Sequence, residues 1–239
     1  MSAKLSENTQ ELSTLTGPAI TKTGTVKRET TTETVVKMKM AFTNAQLPIL
    51  LPSLLPVGYT AESLQANFAE VEALEALMQQ QQTKTQEQVI ETRKFIDSRK
   101  AIHQIYVKDR GMCRILFKDD LQAQVELELK GNVSQAYGNW FKEVKGFYTR
   151  ISNSERLKTE VAKINIKPAD LEAQLTAIAA LETIKKNQKK KIAAAQAATE
   201  ARDLKFDEMF ARYSTLVKYS KILLGKNQAI EALGIVVKR

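Results

Sequence analysis

From residue 60 onward, apolar side chains recur three and four positions apart. Leu64, Phe68, Val71, Leu74, Leu77 and Met78 fall on one face of a 3.6-residue period, which predicts an amphipathic helix. Thr60 is placed as its N-cap, and Glu62 in the first turn suits the positive end of the helix dipole. A polar run, QQQQTKTQEQ, follows. Val89, Ile90, Phe95, Ile96, Ile102 and Ile105 then continue a weaker helical pattern, as one long helix or as two.

Residues 106–130 give a mixed signal. Gly111 interrupts, and LQAQVELELK alternates in the manner of a half-buried strand. Leu121, Val125 and Leu129 are also four apart, which suits one helix face. The helical surroundings favour helix, with a short β element in 106–130 as the alternative. Residues 132–164 read as a helix, with Tyr137, Phe141, Val144 and Tyr148 in one stripe and Trp140, Phe147 and Ile151 beside it. Pro168 is suited to the first position of the next helix. No proline follows it, and the next glycine is Gly225. An unbroken helix there would run about 57 residues, roughly 85 Å at ~1.5 Å per residue. A turn near Asn187 would instead make two antiparallel helices.

The first 59 residues differ. TKTGTVKRETTTETVVKMKMAF is rich in threonine and valine, and VKMKM alternates apolar with charged, which is strand chemistry. Residues 1–46 are therefore expected to be an extended arm that seeks a partner edge, presenting Val36, Met38 and Met40. LPILLPSLLP follows, with prolines at 48, 52 and 56. Each proline fixes φ and denies a regular helix through the stretch. Two readings stand: a lid on the chain's own bundle, or a stiff hook offering Leu47, Ile49, Leu50, Leu51, Leu54 and Leu55 to a neighbouring copy. The fold class expected is mainly α, a bundle of long helices over 60–239 with an extended N-terminal arm and connector over 1–59.

Composition supports that class. Of 239 residues 43% are hydrophobic, enough for a core, while nine glycines and five prolines disfavour a loop-rich β fold. A single cysteine, Cys113, forbids an internal disulfide, and a single histidine, His103, forbids a histidine-rich metal site. The first residues, MSAKLSENTQEL, lack an apolar h-region, and no apolar run reaches the ~18–20 residues of a membrane helix. A cytoplasmic protein is the expectation.

The net charge of +9 is uneven. Residues 60–78 hold four glutamates and no lysine or arginine, whereas residues 185–191 read KKNQKKK. A run this dense points all round a helix and reads first as a solvated or turn-proximal segment; Lys185, Lys186, Lys189, Lys190 and Lys191 are next candidates for an acidic protein surface and, less favoured, for phosphates of nucleic acid or anionic lipid. Aromatics at 137–148 among Lys142, Lys145 and Arg150 could stack bases, but that spacing is the spacing of a helix core. His103 and Cys113 have no third group to orient them, and no phosphate loop or metalloprotease motif occurs. Neither enzyme activity nor a cofactor is expected.

GNWFKEVKGFYTRI, AAAQAATEARDLKFDEMF and QAIEALGIVV, within residues 131–237, resemble a group of uncharacterised bacterial proteins with an aromatic helix, an alanine- and glutamate-rich helix and a closing EALGI segment. That resemblance implies a helical fold and no activity. The function expected is structural: a self-associating subunit of a tube, filament or shell, joined by arm exchange and helix packing. The alternatives are a basic nucleic-acid-associated protein and a pore-forming helical protein.

Overall fold

In a computed structural model, residues 29–225 and 228–234 are described. They form α1 (Thr31–Asn44), α2 (Leu51–Leu54), α3 (Ala61–Leu116), α4 (Leu121–Glu126), α5 (Tyr137–Asn153), α6 (Glu155–Ala162) and α7 (Pro168–Leu224), with 3₁₀ turns at Leu55–Val57 and Gln228–Leu233. No strand occurs among the described residues, and 106–130 is the end of α3, a turn and α4.

The frame is a pair of long helices. α3 has 56 residues and α7 has 57, so each is roughly 85 Å long. They run antiparallel in one register. Tyr59, just before α3, meets Tyr219 at 6.3 Å, Glu87 meets Lys191 at 2.8 Å, and Phe95 lies under the Lys185 ammonium at 4.2 Å. Neither helix breaks, because only Gly111 falls inside α3 and no glycine or proline interrupts α7 after Pro168.

Two separate cores form at the ends of this pair. The base core gathers Val35, Met38 and Phe42 of α1, Leu50 and Leu54, Leu64 and Val71 of α3, Met209 and Leu216 of α7, and Ile230 and Leu233 of the last turn. The head core gathers Phe95, Ile102 and Tyr106 of α3, Trp140, Val144 and Phe147 of α5, Leu157 and Val161 of α6, and Leu171 to Leu181 on α7. Residues 75–94 of α3 lie between them, a neck of roughly 30 Å in which no α3 residue is fully buried.

Three expectations are corrected. Residues 31–44 are helix, not extended arm; residues 1–28 of that arm lie outside the described residues. A capping box starts the helix, Thr30 and Glu33 each bonding the other's backbone. The buried side chains are Val35, Met38, Ala41 and Phe42, a 3.6-residue face, so the alternation of Val36, Met38 and Met40 is incidental. Burial of that face outweighs the strand preference of threonine and valine, which is weak and set by context.

The proline-rich stretch is compact rather than extended. Pro52 and Pro56 sit in the first turns of α2 and the 3₁₀ turn, where a missing N–H costs nothing. Gly58, at φ 90°, then turns the chain into α3. Over 121–129, finally, Leu121 and Val125 of α4 are exposed while Ala123, Leu127 and Leu129 are buried, so of the residues that four-residue spacing picked only Leu129 faces inward. Arg110 and Arg114 fix this region by donating to the carbonyls of Glu128, Leu129, Lys130 and Gly131.

Candidate interaction surface

The seam between α3 and α7 follows a heptad. On α3 every position taken three and four apart from Val71 to Cys113 is buried or half-buried, and on α7 the same holds from Leu171 to Ser220. Such a pattern is the signature of a coiled coil. At both ends the seam is apolar. In the neck it is polar: α3 contributes Gln81, Thr85, Gln88 and Thr92, and α7 contributes Lys185, Gln188, Ile192, Ala195, Thr199 and Arg202. Gln188 is buried and bonded at both ends of its amide, donating to Thr92 Oγ1 at 3.3 Å and accepting from Lys185 Nζ at 2.8 Å. Ala195 is the most buried alanine of the neck, and alanines bury little area.

Several larger apolar residues in and beside the neck point outward instead. Val89, Ile90 and Ile96 on α3 are 60%, 55% and 50% exposed, and Leu204 on α7 is 73% exposed. Val89 and Ile96 are seven residues apart and so share one face, with Ile90 beside it. The outer side of α7 carries exposed Ala193, Ala197 and Ala201, small residues over which another helix can approach closely. The polar seam and the apolar exterior reverse the usual arrangement of a helical hairpin.

The residues singled out in the connector divide. Met38, Leu50 and Leu54 are wholly buried in the base core, and Leu51 packs half-buried against it. They are not available to a neighbour, which corrects the hook in favour of a lid. Val36, Met40, Leu47, Ile49 and Leu55 are exposed.

Charge complementarity is largely used within the chain. Lys191 binds Glu87, which Lys84 also approaches, and these ammonium groups hold the Glu87 carboxyl below its ordinary range. Lys186 binds Glu182 at 3.2 Å. Lys185 lies over Phe95 and Tyr137, and burial, then Lys189 and Arg99, lower its pKa. Of the run 185–191, Lys185, Lys189 and Lys190 have no ion pair among the described residues. In the acidic stretch 60–78, Glu75 binds Lys39 at 2.8 Å and Glu70 binds Lys205. These contacts place part of the charge of both stretches in pairs within the chain.

The aromatic stripe is core: Trp140, Phe147 and Tyr148 are buried, and Tyr106 packs edge-on against Phe147 at 5.4 Å. Tyr148 donates to the buried carboxyl of Asp109 at 2.9 Å. Burial raises the pKa of Asp109, and burial with the Asp109 charge raises that of Tyr148. Cys113 is also in this core, and burial pushes its thiol up to about 12, the opposite of an activated nucleophile. His103 lies ten residues away on the same helix, about 15 Å along its axis, and its Nδ1 accepts from Trp140 Nε1 at 3.1 Å. No group of three histidine, cysteine or acidic side chains able to hold a metal occurs among the described residues, and none of their helices is long and apolar enough to cross a membrane. No protein-family model, curated protein or solved structure matches the chain.

Proposed function

We propose that the protein is a structural, self-associating subunit, and that copies meet at the neck, where α3 and α7 of one chain pack beside those of another. One observation carries this reading: Val89, Ile90 and Ile96 are exposed near a seam that is mostly glutamine, threonine and lysine, with only Ile192 and small alanines as its apolar members. A two-helix hairpin draws little stability from such a seam, since helices depend on burying an apolar face. Packing two necks together would bury the outward apolar residues and turn each hairpin into half of a four-helix bundle. Exposed Val36, Met40, Leu47, Ile49 and Leu55 at the base offer a second contact, from which a tube, filament or shell could be extended. Nucleic-acid binding has less support, because three of the five lysines at 185–191 are engaged within the chain.

Negative-stain electron microscopy of the purified chain tests the assembly. Discrete particles or tubes larger than one 26.8 kDa chain are expected. A field without particles at concentrations where the chain stays folded would contradict it.

A further inference from the structure

Where the neck joins the head, a cavity of about 340 Å³ opens between α3 and the segment that leads into α5. We propose that it binds a small organic carboxylate with a flat apolar body, held by Arg99, Lys100 and His103. Its size is at the low end of the ~300–1,000 Å³ range of ligand sites, which fits one ring and its acid group.

Arg99 is already fixed for this task. Its guanidinium lies 5.0 Å over the Trp140 ring, and Nη2 donates to the Gln135 carbonyl at 2.8 Å. A guanidinium has five N–H donors, so most remain to be given, in a fork that matches a carboxylate. A donor held in place before binding loses little freedom when the ligand arrives.

His103 is oriented as well. The indole N–H of Trp140 can only donate, so His103 Nδ1 accepts and the imidazole proton sits on Nε2. That Nε2–H has no hydrogen-bond partner among the described residues. Lys100 is exposed at the rim. Phe95, Ile96 and Trp140 supply the apolar wall.

The charge of the side chains lining the cavity is positive. Neither Arg99, Lys100 nor nearby Lys185 has a carboxylate within salt-bridge distance among the described residues. The acids of the neighbourhood are engaged elsewhere: Glu182 with Lys186, Asp97 with Arg93, and Glu143 with the Ser134 backbone N–H. The lowered pKa of Lys185 reflects burial first and then this crowding of cations.

Trp140 is the chain's one tryptophan, so its fluorescence reports the site directly. The full-length protein is titrated with benzoate, benzamide and inorganic phosphate, by fluorescence and by calorimetry. Saturable binding of benzoate is expected, with benzamide not binding and phosphate binding more weakly. Arg99→Gln should weaken benzoate by about tenfold or more, the scale of a charge-assisted pair. Arg93→Gln, on the same helix but turned to Asp97, should leave it unchanged. If Arg99→Gln does not fold by circular dichroism, Lys100→Gln serves, with a several-fold loss expected. No saturation with benzoate, equal binding of benzamide, tighter binding of phosphate, or unchanged affinity in the Arg99 or Lys100 variant would each overturn the proposal.

Discussion

Gln188 of α7 donates to Thr92 of α3 at 3.3 Å, a buried polar contact in the polar middle of a seam whose two ends run into apolar cores. It joins two helices at a position where leucine or isoleucine would bind them more tightly. Polar residues in a coiled-coil seam lower stability and fix register or partner number.

Replacing the pair by Gln188→Leu with Thr92→Val should therefore raise the melting temperature. Gln188→Leu removes a satisfied polar group and adds apolar contact at the same position. Differential scanning calorimetry gives the result. A lower melting temperature in the double variant would show that the polar layer itself holds the neck.

In the base core, Leu50→Ala and Leu54→Ala should each destabilise by about 2–5 kcal/mol, the usual effect of emptying a packed leucine site. Ile49→Ala and Leu55→Ala, at exposed positions, should stay within about 0.5 kcal/mol. Urea unfolding followed by circular dichroism separates the two pairs, and equal effects would contradict the lid.

These two regions show what the sequence made legible and what it hid. The helix start at Pro168, the N-cap at Thr60 and the helical character of the aromatic stripe were legible, whereas the unbroken run from Pro168 to Leu224 was left open against a turn near Asn187, and the helix read over 132–164 divides at Ser154, the cap of α6. The seam through the neck was not legible, because its positions hold Gln81, Thr85, Gln88 and Thr92. A search for apolar periodicity passes over these and picks Val89 and Ile90, which point away. A heptad extrapolated from Phe95 and Ile102 back to Leu74 would have found it. At α1, the capping box Thr30–Glu33 was a readable helix start, masked by the threonine and valine content. The Arg99–Trp140–His103 grouping depends on α5 folding back on α3, which no local pattern announces.

Asp109 gives a pH dependence. Burial raises its folded pKa above its unfolded value, so the folded state binds the proton more strongly. The linkage then runs downward: this group's contribution to stability is present below the unfolded carboxyl range and is lost as pH rises through the folded value. Asp109→Asn keeps an acceptor for Tyr148 and carries no charge, so it should be more stable than the parent at pH 7 and should flatten that part of the profile. Melting temperatures of both proteins between pH 4 and pH 8 provide the comparison, and a parent that is the more stable at pH 7 would contradict it.

Cys113 should be inert in the folded protein. Its thiol is buried and pushed up to about 12, far above the ~8.5 of a free cysteine. Ellman's reagent at pH 8 should label it only at the rate of unfolding, and fully in denaturant. Rapid labelling of the native chain would mean that the head core opens readily.

Whether copies meet through the apolar outer face of the neck is decided by sedimentation velocity of the parent beside a Val89→Ser, Ile90→Ser variant. Both residues are exposed, so the variant should keep its helix content and its melting temperature as a single chain. The parent should sediment as a dimer or larger species and remain so in 1 M salt, where the Debye length is ~3 Å and exposed ion pairs are screened. The variant should sediment as a monomer. A monomeric parent, or a variant that assembles as the parent does, would contradict a contact through the neck.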